Sequence, residues 1–229
     1  MGGAVTCVTE EGNGGTGILF DNPTNTRVQA AFVAADFAAG GCTASCILSS
    51  ISFRLDNFQA SFGPANVGIV DIYLSEVASA RSNANGLGLA AAYATNIDMA
   101  TRVLVYSGSL TLSSANGSGS PNAFDVTIPF QTNYTYLANA DLLFDITWTS
   151  GYSRIFRSLD ATTLETGVNS TALGYLVGGP ASGPNGSVSS NRLVAQFSAS
   201  AVNIPEPGGI LLSLAALGLL GWKWVRSRP

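Results

Sequence analysis

Apolar and polar side chains alternate with a period of two through most of the chain before Pro205. In Ser49 to Asp56, Ile51, Phe53 and Leu55 alternate with Ser52, Arg54 and Asp56, the pattern of a strand with one face in a core and one in solvent. Val67 to Ser75 repeats it, Val70, Ile72 and Leu74 facing one way and Asp71 and Tyr73 the other. Val103 to Leu112 reads as a strand bent or bulged at Gly108. Phe124, Val126 and Ile128 alternate with Asp125 and Thr127 up to Pro129, which is expected to end the pairing because proline has no amide to donate. Tyr134 to Leu137 predicts a short strand. Asp141 to Thr149 predicts the clearest one, with Leu142, Phe144, Ile146 and Trp148 on its inner face. Ile18-Leu19-Phe20, Arg27 to Ala34, Tyr152 to Phe156, Ala172 to Val177 and Arg192 to Ala199 complete the set, and Ala-rich Leu87 to Ile97 is the best helix candidate. Roughly nine to eleven short strands with Gly/Asn/Pro turns and no internal repeat predict an all-β fold. The expected architecture is an antiparallel β-sandwich, jelly-roll-like, over residues 1–203.

At residue 204 the pattern changes. Pro205-Glu206-Pro207 cannot lie inside a helix and forms a stiff boundary. From Gly208 to Val225 the only charge is Lys223, and the stretch is apolar all round, which predicts a single transmembrane helix in residues 204–229. Gly208 to Trp222 spans about 22 Å at roughly 1.5 Å per residue, short of a hydrocarbon core of about 30 Å. Snorkelling by Lys223 and interfacial Trp222 and Trp224 make up the difference. Lys223, Arg226 and Arg228 follow, and the positive-inside rule holds such a cluster in the cytoplasm, leaving residues 1–203 outside.

A Pro-Glu-Pro triplet, a short apolar helix and a basic tail in this order resemble the PEP-CTERM sorting signal recognised by exosortases. The resemblance covers Pro205 to Pro229 and implies passage through the inner membrane, processing near the triplet by an exosortase-type membrane protease, and delivery to the cell surface or extracellular matrix. A permanent membrane anchor and a buried apolar core helix are the alternatives for the same stretch. Val105 to Trp148, with YSGSLTLSS, AFDVTIPF and DLLFDITW, more loosely resembles segments of other exosortase-sorted proteins and implies a shared β-domain without an activity. Met1 to Cys7 contains neither the basic nor the apolar region of a signal peptide, so an export leader is expected upstream of this start. The Met-Gly…Thr6 match to N-myristoylation is read as chance.

Charged residues make up 10 per cent of the chain, far below the roughly 25 per cent of soluble proteins. Ser, Thr, Asn and Gly take their place, as suits an extracellular β-protein. The body to Asn203 carries thirteen acids and seven arginines, a balance of −6, while the tail balances at +2. An acidic body disfavours nucleic acid as a partner.

There is no histidine, which removes the commonest general base and metal ligand together. Neither GxSxG nor SxxK occurs, so serine-hydrolase chemistry is excluded as well. Cys42 and Cys46 read as a small loop disulfide with Cys7 left over, although Cys7 could pair with either. Three thiolates without histidine disfavour zinc, and calcium held by Asp, Asn and loop carbonyls is the metal left open.

Gly12, Gly14 and Gly17 spell GxGxxG, but Asp21-Asn22-Pro23 follows where a dinucleotide site needs a helix. Asp141 and Asp145, on the polar face of one strand, stand roughly 13 Å apart along the backbone, too far for a glycosidase pair, and read as solvated. Asp71, Asp125 and Asp145 could meet across strands. Trp148, Tyr152 and Tyr73 are the glycan-platform candidates, with core packing favoured for Trp148. Asn116, Asn133, Asn169 and Asn185 begin Asn-x-Ser/Thr triplets that reflect composition. The expected function is a non-enzymatic, exosortase-sorted surface or matrix protein, structural or adhesive, with weak affinity for exopolysaccharide. A carboxylate-based polysaccharide hydrolase and a permanently anchored surface protein are the alternatives.

Overall fold

A computed structural model of the chain describes residues 3–7, 14–16, 19, 26–81, 88–115, 119–151, 155, 157–163, 176–189 and 191–202. Its strands are β1 Gly3–Cys7, β2 Gly14–Thr16, β3 Thr26–Phe32, β4 Cys46–Phe53, β5 Phe62–Glu76, β6 Val103–Ser114, β7 Val126–Tyr136, β8 Leu142–Ser150, β9 Leu159–Thr163, β10 Leu176–Pro180, β11 Ser187–Ser189, β12 Asn191–Leu193 and β13 Ala195–Ala201. One α-helix, α1 Ala34–Ala39, stands among them. The sheets run β1-β13-β4-β7, β11-β10-β3-β8-β5-β6 and β12-β9-β2, and every pairing is antiparallel.

The two larger sheets stack face to face in a sandwich-like arrangement, because each offers the other the apolar half of its alternation. Phe32 of β3 meets Phe197 of β13 edge-on at 5.2 Å between ring centroids, and Phe53 of β4 meets Phe144 of β8 at 6.1 Å. Such pairs contribute about 0.5–1.5 kcal/mol each beyond the area they bury. Leu48, Ile51, Val70, Ile72, Val126, Ile128, Ile146 and Trp148 fill the space between them. The Trp148 indole N–H donates to the Val67 carbonyl at 3.1 Å, so its polar edge is satisfied inside the core. Next to it Gly68 takes φ +108, and a Cβ there would stand 2.7 Å from the Ser150 carbonyl oxygen, which only glycine permits.

One end of this core is closed by α1. Phe37 is fully buried and its ring lies 4.5 Å from Tyr136 and 5.3 Å from Phe197. Asp141 accepts the Ala34 N–H at 2.9 Å, satisfying an amide that the first turn leaves open. Gly41 at φ +94 ends the helix, and the Cys42–Cys46 disulfide follows directly, tying its exit to the start of β4. The small β12-β9-β2 sheet crowns the end of β4, where Leu55 bridges to Leu159.

The predicted strands that fall on β3 to β8 and β13 are found with several corrections, whereas Leu19 of the predicted Ile18 to Phe20 strand lies in a turn, and most of the predicted Tyr152 to Phe156 and Ala172 to Val177 strands lies outside the described residues. The strand run does not stop at Pro129: β7 continues to Tyr136, absorbing the region expected as a separate short strand. Among the described strands β7 pairs only with β4, and exposed Pro129 sits opposite Ser50 at a shift of register, where a missing amide costs little. Arg192 to Ala199 is split at Val194 into β12 and β13, which serve different sheets. In place of a helix at Leu87 to Ile97 the described part, 88–97, holds a single 3-10 turn, Tyr93–Asn96. The helix α1 was not anticipated; six residues are too few to show a period.

The solvent faces are also drier than alternation suggests. Ser52 of β4 and Arg54 just past it, expected in solvent, are buried, as is Asp145 of β8. On β4 a hydroxyl ladder crosses the outer face, Ser50 to Ser198 and Ser52 to Thr127, each at 2.8 Å. On the six-stranded sheet a second layer lies over the strands: Val77, Leu89 and Tyr93 pack with Ala31, Val33, Leu143 and Val177. No helix among the described residues is long and apolar enough to cross a membrane, and the predicted helix within 204–229 lies outside them.

Candidate functional site

Two arginine–aspartate clusters concentrate the buried charge. The first lies on the outer face of the six-stranded sheet, where register places Gln29, Asp145 and Tyr73 side by side on β3, β8 and β5. Arg27, two residues before Gln29 and on its face, donates from Nε and Nη2 to the two Asp145 oxygens at 2.8 and 2.5 Å. Arg102 approaches the same carboxylate from the start of β6 at 3.5 Å. Each guanidinium lies over a ring, Arg27 at 4.7 Å from the Tyr93 centroid and Arg102 at 3.6 Å from that of Tyr73. Burial pulls the Arg27 guanidinium down, but the hydrogen bond and charge of Asp145 more than reverse it, leaving the group above its ordinary value. The Tyr93 phenol is raised, first by burial and further by Asp145, against the pull of Arg27.

The loop over this cluster is fixed by amides. Asn96 donates to Gln29 Oε1 at 2.9 Å and to the Ala90 carbonyl at 2.8 Å, and Gln29 donates to the Tyr93 carbonyl. The Tyr93 hydroxyl donates to the Arg27 carbonyl at 3.1 Å. A Cβ at Gly186 would fall 2.5 Å from that hydroxyl, so the Gly-rich turn between β10 and β11 is glycine-rich where it closes on Tyr93.

The second cluster lies under the crown. Arg54, just past β4, donates from Nε to Asp160 of β9 at 2.6 Å, and its guanidinium lies 5.0 Å from the Phe124 ring centroid. Above it Asp56 is raised, first by burial and then by the charge of Asp160, against the Asn57 N–H that stabilises its anion. Asp36 of α1 forms a further pair with Arg192 of β12; burial first, together with the charge of Asp141, raises it more than that partner lowers it.

These placements answer the residues singled out in the sequence. Asp141 and Asp145 are buried rather than solvated, because α1 and the loop over β8 cover them. Asp71 shares the face of Asp145, two residues along β5 from Tyr73, and accepts the Ser107 hydroxyl at 2.7 Å. Asp125 does not join them: it lies before β7 and holds the Ser114 hydroxyl and Ala115 N–H at 2.8 Å. Trp148 is core. One face of the Tyr73 ring is covered by Arg102.

Tyr152, Gly12 and Gly17 lie outside the described residues, as do Asn116, Asn169 and the sorting-signal residues Pro205, Glu206, Pro207, Lys223, Arg226 and Arg228. Gly14 is on β2, Cys7 ends β1, and Asn133 and Asn185 are exposed. Among the described residues no three carboxylate or thiol side chains gather as a metal site.

The residues the sequence did not single out are Arg27, Arg54, Arg102 and Arg192. The available signal was scarcity: in a body with seven arginines, one set within an apolar alternation has a buried acid as its natural counterpart. No protein-family model, curated protein or solved structure matches the chain.

Proposed function

We propose that the chain is an exported, non-enzymatic surface or matrix protein, structural or adhesive, whose β-body is delivered by an exosortase acting on Pro205 to Pro229 and makes weak contacts with exopolysaccharide. The body is a jelly roll. Supporting this, β1-β13-β4-β7 faces β3-β8-β5-β6, two four-stranded sheets between which the chain keeps crossing, with β10 and β11 added at one edge. The tail is a membrane helix until processing, after which the body is released to the surface.

The observation that carries the structural reading is how the acids are held. Asp36, Asp145 and Asp160 are ion-paired to arginine, Asp141 caps α1, and Asp71 and Asp125 bond neighbouring hydroxyls. Carboxylates committed in this way join elements of the fold, and a hydrolytic pair drawn from these six would need two of them freed to face a glycosidic oxygen.

The test of sorting is the mass of the exported form. Loss of Trp222 to Pro229 is expected, and Pro205→Ala with Glu206→Ala should hold the protein in the membrane. An exported form that keeps Trp222 to Pro229 would instead identify a permanent anchor.

A further inference from the structure

The connection between β4 and β5 carries a feature that the fold itself does not use, and its interpretation rests on the glycan-contacting part of the function proposed above. Phe58 is 86 % exposed and its backbone is left-handed at φ +63. A bulky L-residue is strained in that region, and a phenyl ring in water gains nothing from burial. Both penalties fall on one residue of a loop that is firmly held. Gln59 N–H closes a turn on the Asp56 carbonyl at 3.2 Å. The Asn122 amide donates to the carbonyls of Leu55 and Asp56 at 3.1 and 3.2 Å, and Arg157 Nε donates to that of Ala60 at 2.7 Å. The ring is therefore presented on a fixed base.

We propose that Phe58 is a stacking platform for the apolar face of a pyranose ring in a neutral polysaccharide, with the amide of Gln59 and the hydroxyl of Ser61 beside it to meet sugar hydroxyls. The size of the feature selects this partner. A single aromatic side chain covers about 150–250 Å², whereas a stable protein interface takes about 800 Å² from each side. Phe58 is the one large exposed apolar side chain in its loop among the described residues. Its charge surroundings do not favour an anionic lipid surface, since Asp56, two residues before it, offsets Arg157 at Ala60, and the chain carries −4 overall. A polymer of repeating sugars turns one weak stacking contact into retention by offering many sites.

The test is native affinity electrophoresis of the full-length chain in mild detergent, through gels cast with hydroxyethylcellulose or galactomannan. The wild-type chain should be retarded, Phe58→Ala should bind about ten-fold more weakly, and Phe58→Trp should bind at least as well. Phe58→Gly should lose retardation while its thermal midpoint rises, since glycine relieves the left-handed strain. A fall in that midpoint would mark Phe58 as a structural residue and overturn the platform.

Equal retardation of wild type and Phe58→Ala would overturn the platform and leave the glycan reading standing. No retardation of wild type in either gel would overturn the glycan reading and the platform with it. Loss of self-association, or of binding to phosphatidylglycerol vesicles, as the sole effect of Phe58→Ala would assign the ring to a second copy or to lipid, against the proposal.

Discussion

Asp160 and Asp145 are both buried beside arginine, yet they are held in different ways. At the crown, the Arg54 and Asp160 side chains are 3 % and 0 % exposed, so the pair is sealed on both sides. On the outer face, Asp145 is 1 % exposed, but Arg27 and Arg102 keep 19 % and 24 % of their side chains in solvent. The sealed pair fastens β9, and with it the small sheet, to the end of β4. The half-open cluster ties β3, β8 and the entry to β6 together across one face. Loss of a partner in the first strands a charge with no water nearby, whereas in the second, solvent and the second arginine soften the loss.

The largest expected effect therefore follows from Arg54→Ala, which leaves the Asp160 charge in a closed site and should cost about 3–5 kcal/mol in denaturant-induced unfolding. Replacing both partners at once, Arg54→Met with Asp160→Leu, should recover most of that loss, since a well-packed apolar pair avoids desolvating either charge. A double variant as unstable as the single one would mean that the crown depends on charge rather than on packing.

Arg27→Ala should cost about 1–2 kcal/mol, less than Arg54→Ala, because Arg102 still faces Asp145. Arg102→Ala, which removes the longer contact and the stack on Tyr73, should cost about 0.5–1 kcal/mol. Salt sharpens the contrast. In about 1 M NaCl the effects of Arg27→Ala and Arg102→Ala should shrink while that of Arg54→Ala stays, because screening reaches only charges that solvent can touch. Equal salt sensitivity at the two sites would abolish the distinction between them.

These clusters also mark the limit of what alternation reveals. A period of two identifies which face of β4, β5 or β8 is apolar, since Ile51, Val70 and Phe144 must be hidden somewhere. It cannot say that the other face is covered as well. Asp145 and Arg54 looked solvated because the elements that bury them, the loop carrying Tyr93 and the short strand β9, come from distant parts of the chain and have weak patterns of their own. The Cys42–Cys46 loop was legible because both partners lie within one turn of chain. The Arg27–Asp145 pair, 118 residues apart, becomes visible only once β3 and β8 are neighbours. Phe58 was missed for the same reason, since an isolated aromatic in a polar loop looks like any other until its backbone and exposure are known.

The smallest expected effect is the finest test of the crown. Asp56 lies over the sealed pair, and its carboxyl is raised above the usual 3.8 by burial first and by the Asp160 charge after. A carboxyl raised in the folded chain is protonated there before it is protonated in the unfolded chain, so its ionisation costs stability above the folded value, and that cost vanishes as pH falls below 3.8. Asp56→Asn should accordingly stabilise the protein at about pH 7, by under about 0.5 kcal/mol once solvent screening of this partly exposed group is allowed for, and leave it unchanged at about pH 3. In the Arg54→Met, Asp160→Leu background the gain should shrink, because the like charge that adds to the shift is gone. A gain of undiminished size there would assign the shift to burial alone and separate Asp56 from the sealed pair.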